Sequence, residues 1–246
     1  LAHGALAADL STTPVAPGPA THLVYDWSGF YLGANGGYSN GRLVTTDSSI
    51  TTDGTLFGFS GSSQTYPGAD NDTPFNGGFG GGQVGYNWQA GALVFGGVAD
   101  AQLSGITRSD TIPGAVGGDP RVDTRADLQW FSTVRGRVGF AMDRVHIYGT
   151  AGLAVGGTKG TITVTSSGGT GTPYSASDSS TQVGYVVGAG VEAALGRHWV
   201  VGAEYLYMNL GSHRYNFAFS DSGSSTATSK EAISDNLFRG TLSYKF

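Results

Sequence analysis

The run DLQWFSTVRGRVGFAMDRVHIYGTAGLAV, residues 127–155, decides the fold. Up to Met142, alternate positions hold Leu128, Trp130, Val134, Val138 and Phe140, and the positions between hold Gln129, Thr133, Arg135, Arg137 and Gly139. After the turn Met142-Asp143-Arg144 the alternation resumes, with Val145, Ile147, Ala151, Leu153 and Val155 against His146, Tyr148, Thr150, Gly152 and Gly156. Successive side chains of a strand point to opposite faces. The run therefore reads as a β-hairpin with one apolar face and one face of Arg, His and Gly. A soluble cup would turn its apolar side inward and its charges outward. Hydrocarbon requires a charge-free outer face, because an Arg or Lys facing lipid at the bilayer midplane costs about 2–4 kcal/mol.

The same rhythm extends in both directions. Segments 27–41, 78–89, 92–104, 181–195, 199–210 and 235–246 alternate likewise, which brings the expected strands to eight. Short connections at Gln89-Ala90-Gly91, Met142-Asp143-Arg144 and Gly196-Arg197-His198 alternate with long ones at about 42–77, 105–126, 160–180 and 211–234. Loops of that length are uncommon inside compact soluble domains. Weak alternation persists within them, at 161–165 and at Tyr215, Phe217 and Phe219, so the sheet is expected to continue past the membrane. The fold class is all-β: an eight-stranded antiparallel transmembrane β-barrel with long extracellular loops and short periplasmic turns. It must close, since an open edge in hydrocarbon would leave backbone N–H and C=O groups unpaired.

Within the strands, Asp100, Arg135, Arg137, His146, Glu192, Glu204, Arg239 and Lys245 all fall on the Gly-rich face, and are expected to form a charge network in the barrel interior. An eight-stranded barrel is just wide enough for side chains to fill. Glycines alternating with Tyr31, Tyr148, Arg135 and Arg137 suit that crowding and predict a plugged lumen. One stretch breaks the pattern: above Glu204 the inward set becomes Leu206, Met208 and Leu210, as a bulge or the end of the barrel would produce. Membrane-interface aromatics are expected at two girdles, Trp27, Trp88, Trp199 and Phe246 at the short-turn rim and Trp130, Tyr38 and Tyr207 toward the other.

Composition removes other classes. The 246 residues include 42 Gly without a three-residue period, which excludes collagen, and no Cys, which excludes disulfide frameworks and thiolate metal sites. A net charge of −5 argues against nucleic acid as a partner. No apolar run approaches the roughly 18 residues of a membrane-spanning helix. Residues 1–7 read as a signal-peptide remnant ending in Ala5-Leu6-Ala7, residues 8–26, with Pro14, Pro17 and Pro19, as a periplasmic tether, and residues 27–246 as the barrel.

Catalytic, metal and cofactor sites are not expected. Of the five histidines only His213 falls toward the outer surface, and the adjacent Ser212 would point to the opposite face of a strand, which makes a poor dyad. Asp47, Asp53, Asp70 and Asp72 lack calcium-loop spacing and read as solvated loop charges. Phe57, Phe59 and Tyr66 in the same loop read equally as exposed anchors or as a cap on the barrel.

The run WSGFYLGANGGY at 27–38, GGQVGYNW at 81–88 and EYLY at 204–207 resemble the outer-membrane immunogenic proteins of alpha-proteobacteria, a family of small porin-like barrels. The closing FRGTLSYKF, residues 238–246, is similar to the C-terminal strand signal read by the outer-membrane assembly machinery. The resemblance implies the outer membrane of a Gram-negative bacterium and a role in envelope integrity and surface contacts. Implied partners are outer-membrane lipid, lipopolysaccharide and the assembly machinery, with lateral self-association left open. A narrow porin-like channel is the alternative, and a lipopolysaccharide-modifying enzyme a minor one.

Overall fold

The computed structural model describes residues 25–51, 63–64, 73–112, 121–165, 174–218 and 226–246. The strands are β1 (Gly29–Thr51), β2 (Ser63–Gln64), β3 (Thr73–Ala90), β4 (Leu93–Ile112), β5 (Arg121–Met142), β6 (Val145–Thr165), β7 (Tyr174–Ala194), β8 (Trp199–Ala218) and β9 (Thr226–Lys245). Each long strand pairs antiparallel with the next, and β1 pairs with β9, so eight strands close into a ring. The two-residue β2 pairs only with the upper end of β1, through Ile50 and Thr51. The expectations for residues 1–24 and for loop residues 53, 57, 59, 66, 70 and 72 lie outside the described residues.

The barrel strands run 18 to 23 residues, about twice the 9–11 that a tilted strand needs to cross a bilayer. Much of what reads as connection in the sequence, such as 105–112, 121–126 and 160–165, is strand. Thr and Val in these stretches suit a pleated surface, and the ladder continues wherever a partner strand is in register. At the short-turn end, Asp143 turns β5 into β6 with φ 51°, a left-handed conformation that Asp tolerates better than most residues.

Alternation sorts the two faces as expected over most of the ring. Leu32, Val138, Leu153 and Val183 are exposed on the outer wall, while Asn35, Gln83, Asp100 and Arg135 are buried. Three register shifts modify the pattern, between Leu103 and Ile106, Leu128 and Trp130, and Asn209 and Ser212. A bulge inserts an extra residue and re-aims the side chains beyond it. Leu128, placed by strict alternation on the outer face with Trp130, is therefore fully buried in the lumen, as is Ile106. On β8 the shift falls at Gly211, whose φ of +73° suits glycine.

Two further placements correct the sequence reading. Trp27 is not an interface aromatic: it is 1% exposed and lies inside the short-turn mouth with Val94, Ala141, Ala194 and Val200. Leu206, Met208 and Leu210 are not an end of the barrel. They are buried with Phe79, Ile106, Leu128, Phe131, Ile233 and Leu237 in an apolar layer across the upper lumen.

Candidate functional site

The polar interior lies between that apolar layer and the Trp27 floor, and β4, β5, β8 and β9 build its centre. Arg135 donates from Nη2 to Asp100 Oδ2 at 2.7 Å and from Nη1 to Glu204 Oε1 at 2.7 Å. Arg239 reaches the same two carboxylates, from Nε to Glu204 Oε2 at 2.6 Å and from Nη2 to Asp100 Oδ2 at 3.1 Å. The Thr133 hydroxyl donates to Asp100 Oδ1 at 2.7 Å, and the Tyr148 hydroxyl to Glu204 Oε1 at 3.2 Å. Two guanidinium groups and two carboxylates thus form a neutral cross-brace from one wall to the other. Side chains this deep tolerate charge only when paired and hydrogen-bonded.

Nearer the short turns, Arg137 donates from Nη1 to Glu192 Oε1 at 2.8 Å and from Nε to Asn87 Oδ1 at 2.8 Å. Its guanidinium carbon lies 4.7 Å from the Tyr31 ring centroid and 5.0 Å from that of Tyr148, a cation between two aromatic faces. His146 Nδ1 is 3.3 Å from Glu192 Oε2, and its ring stacks on Tyr148 at 5.0 Å and meets Trp27 at 5.1 Å. The brace and the Arg137 cluster together take in seven of the eight charged or ionisable groups read from the sequence as an interior network. Lys245 is the exception: it sits partly exposed at the mouth with its Nζ 5.4 Å from the Tyr25 ring.

The mouth itself is strapped. The Trp27 amide donates to Gln89 Oε1 at 2.7 Å and its indole N–H to the Asp143 carbonyl at 3.0 Å, while the Tyr25 hydroxyl donates to the Arg197 carbonyl at 3.3 Å. The Ser28 amide, donating to Asp26 Oδ1 at 2.8 Å, holds that carboxyl below its usual range.

Sequence reasoning missed the neutral half of the interior. Gln83 donates to Ser243 Oγ at 3.1 Å, Gln102 to Asn35 Oδ1 at 3.3 Å, and Ser39 to Asp235 at 2.6 Å. All six are inward by parity, which a search limited to charges passes over. The close approach of Tyr148 to Gly190 is also informative: a Cβ at Gly190 would stand 2.6 Å from the Tyr148 hydroxyl oxygen and 2.7 Å from its ring. Gly190→Val is expected to displace that ring from Arg137 and cost about 1–3 kcal/mol. Urea unfolding in lipid vesicles reads this, with Gly196→Val, where a Cβ meets nothing within 4 Å, unchanged.

Outside, Trp88, Trp130, Trp199, Tyr38 and Phe246 are exposed and Tyr207 is half-buried on the same lipid-facing side, in two belts. Small side chains between them, among them Gly136, Gly149, Ala151 and Ala189, leave a shallow trough of about 850 Å³ on the outer wall. Acyl chains fit such a surface. Ser212 is exposed on that wall, above the belts, and the His213 side chain lies outside the described residues. The interior carboxylates, held by guanidinium and hydroxyl donors, are built to neutralise charge.

Comparison with known proteins agrees with this geometry. A family model described as "Outer membrane protein beta-barrel domain" matches residues 7–246. The chain is 33% identical to the 31 kDa outer-membrane immunogenic protein of Brucella melitensis, over all of this chain and 95% of that one. It is 34% identical to the 22 kDa outer membrane protein of Rhizobium leguminosarum bv. viciae, over 80% of this chain and 70% of the other. Among solved structures, the outer membrane protease OmpT of Escherichia coli is similar with a TM-score of 0.51 at 10% identity, covering 89% of this chain and 97% of that one, a likeness of fold alone.

Proposed function

The chain belongs to the outer-membrane protein β-barrel family, alongside the outer-membrane immunogenic proteins, and from that premise we propose that it is a closed structural barrel, neither a channel nor an enzyme. It resides in the outer membrane of a Gram-negative bacterium. In this reading the barrel anchors extended strands and loops at the cell surface, contacts lipid and lipopolysaccharide with its wall, and stabilises the envelope. The exposed Phe246, with Tyr244 at 5.2 Å and Phe30 at 5.8 Å, is the feature offered to the assembly machinery. Lateral packing of copies through the apolar wall belongs to the same reading.

The observation that carries it is the filling of the lumen. An ion would have to pass the Trp27 floor, the Arg137 cluster, the Asp100–Arg135–Glu204–Arg239 brace and an apolar layer that offers no polar group to replace its hydration. Purified protein inserted into planar bilayers is expected to give no steady unitary conductance. A strain lacking the protein is expected to become more sensitive to detergent, with resistance restored by the wild-type chain. Stable openings of one size from the wild-type protein would sink the reading and favour a narrow pore.

A further inference from the structure

Three outer-wall features stand apart from the interior: the shallow trough, the Arg125–Asp127–Lys159 group on β5 and β6, and the seam where β8, β9 and β1 meet. On β5 and β6 the charges are settled locally. Arg125 Nε is 3.0 Å from Asp127 Oδ2, and Asp127 is directly opposite Lys159 in the ladder. The seam differs. Its outward rows climb from an aromatic row, Tyr38–Phe238–Tyr205, to an amide row, Asn76–Asn40–Asn236 with Tyr207, then to Arg42–Ser234–Asn209, and higher to Lys230 directly opposite Arg214.

The transition from apolar to polar is bonded in place. The Tyr205 hydroxyl donates to Asn236 Oδ1 at 2.7 Å and the Asn236 amide donates to the Asn40 carbonyl at 3.1 Å. This fixes the level at which hydrocarbon ends. Above it, the outward side chains described on β8, β9 and β1 include three cations, Arg42, Lys230 and Arg214, and no carboxylate. Like charges directly opposite each other on one face of a sheet repel, and the Arg214–Lys230 pair gains if an anion lies across it. What reaches that wall from below is the headgroup of a lipid whose chains already lie against Tyr38, Phe238 and Tyr205.

We propose that the outward Arg42, Lys230 and Arg214 on the β8–β9–β1 seam bind the phosphate groups of an outer-leaflet glycolipid whose acyl chains pack on the wall below. The amide row supplies hydrogen bonds to its sugar hydroxyls, and the bidentate fork of Arg42 and Arg214 suits phosphate oxygens. The site gives the lipopolysaccharide contact of the proposed function a location and a chemistry. It rests on that reading only for the outward placement of this wall, and not on the lumen being closed.

The test uses the full chain refolded in detergent micelles, with native mass spectrometry counting bound lipid. The probes are bisphosphorylated lipid A, the same lipid A dephosphorylated, and inorganic phosphate as competitor. Arg214→Gln with Lys230→Gln is expected to weaken retention of bisphosphorylated lipid A by about thirtyfold, to near the level of the dephosphorylated form, which the change leaves unaffected. Free phosphate is expected not to compete. Arg42→Gln alone gives a smaller loss in the same direction, and Arg125→Gln on the far wall gives none. A heat-modifiable shift in gel mobility establishes that each variant is folded, and Arg42→Gln serves if the double variant is not. Equal retention of both lipid A forms by wild type, or unchanged retention in the folded variants, would overturn the proposal. Neither result alters the bilayer recording that tests lumen closure.

Discussion

Glu204→Ala is expected to lower the unfolding free energy of the barrel by about 3–5 kcal/mol, the cost of breaking a buried ion pair from one side. Glu204 accepts from Arg135 at 2.7 Å, from Arg239 at 2.6 Å and from the Tyr148 hydroxyl at 3.2 Å. Its removal leaves two guanidinium groups sharing Asp100 alone, with an unbalanced positive charge inside a wall that water does not reach. Glu204→Gln keeps the shape and is expected to recover only part of the loss, because charge is missing as well as an acceptor. Adding Arg239→Gln to Glu204→Gln restores neutrality, and the double variant is expected to be more stable than the sum of the two single losses predicts. Urea unfolding in thin lipid vesicles, followed by tryptophan fluorescence and by heat-modifiable mobility, measures all three. Strict additivity would mean that the brace is a set of independent contacts.

That cross-brace was legible in outline because parity places a charge on one face whatever its partner. Arg135, Arg137, Glu192, Glu204 and Arg239 are inward for the reason the alternation gives. Which acid meets which base was not legible, since it depends on the register between strands far apart in sequence, such as β5 and β8. Leu128 failed for a different reason. A single bulged residue leaves the composition of a strand unchanged but flips everything beyond it, and a bulge has no strong sequence signal apart from a glycine such as Gly211. Trp27 failed because it precedes the first strand residue, Gly29, where alternation ceases to bind. A Trp at a rim fits an interface belt or a plug equally well in sequence, and its hydrogen bond to Asp143 decides between them.

The apolar layer has the same origin as Leu128. Three bulges lie near the upper level of the membrane band, and Ile106, Leu128 and Leu210 stand at or beside them. Above that level the outer wall meets water, so apolar side chains gain by turning inward. The lumen is therefore polar where the outside is hydrocarbon and apolar where the outside becomes aqueous, an exchange of faces along a single set of strands. This exchange fills the lumen from both ends, and the polar part gains its stability from paired charges because no water competes there.

Val134→Arg is expected to cost about 2–4 kcal/mol, the penalty for Arg on the lipid side at the bilayer midplane. Val134 is 65% exposed on the outer wall, flanked in the ladder by Ala99 and by Leu153, itself 64% exposed. It lies four residues below Trp130 on the same strand and eight above Met142, close to the middle of the apolar band. At Met142, beside the short turn, the same replacement is expected to cost about 0–1 kcal/mol, since the side chain reaches water at the interface. The contrast tests the orientation of the sheet directly. If the outer wall faced water, Val134→Arg and Met142→Arg would be equally harmless, and exchanging an exposed Val for Arg would improve solubility without detergent. A loss that grows with depth from Met142 to Val134, in urea unfolding from vesicles, is the outcome that only a lipid-facing wall produces.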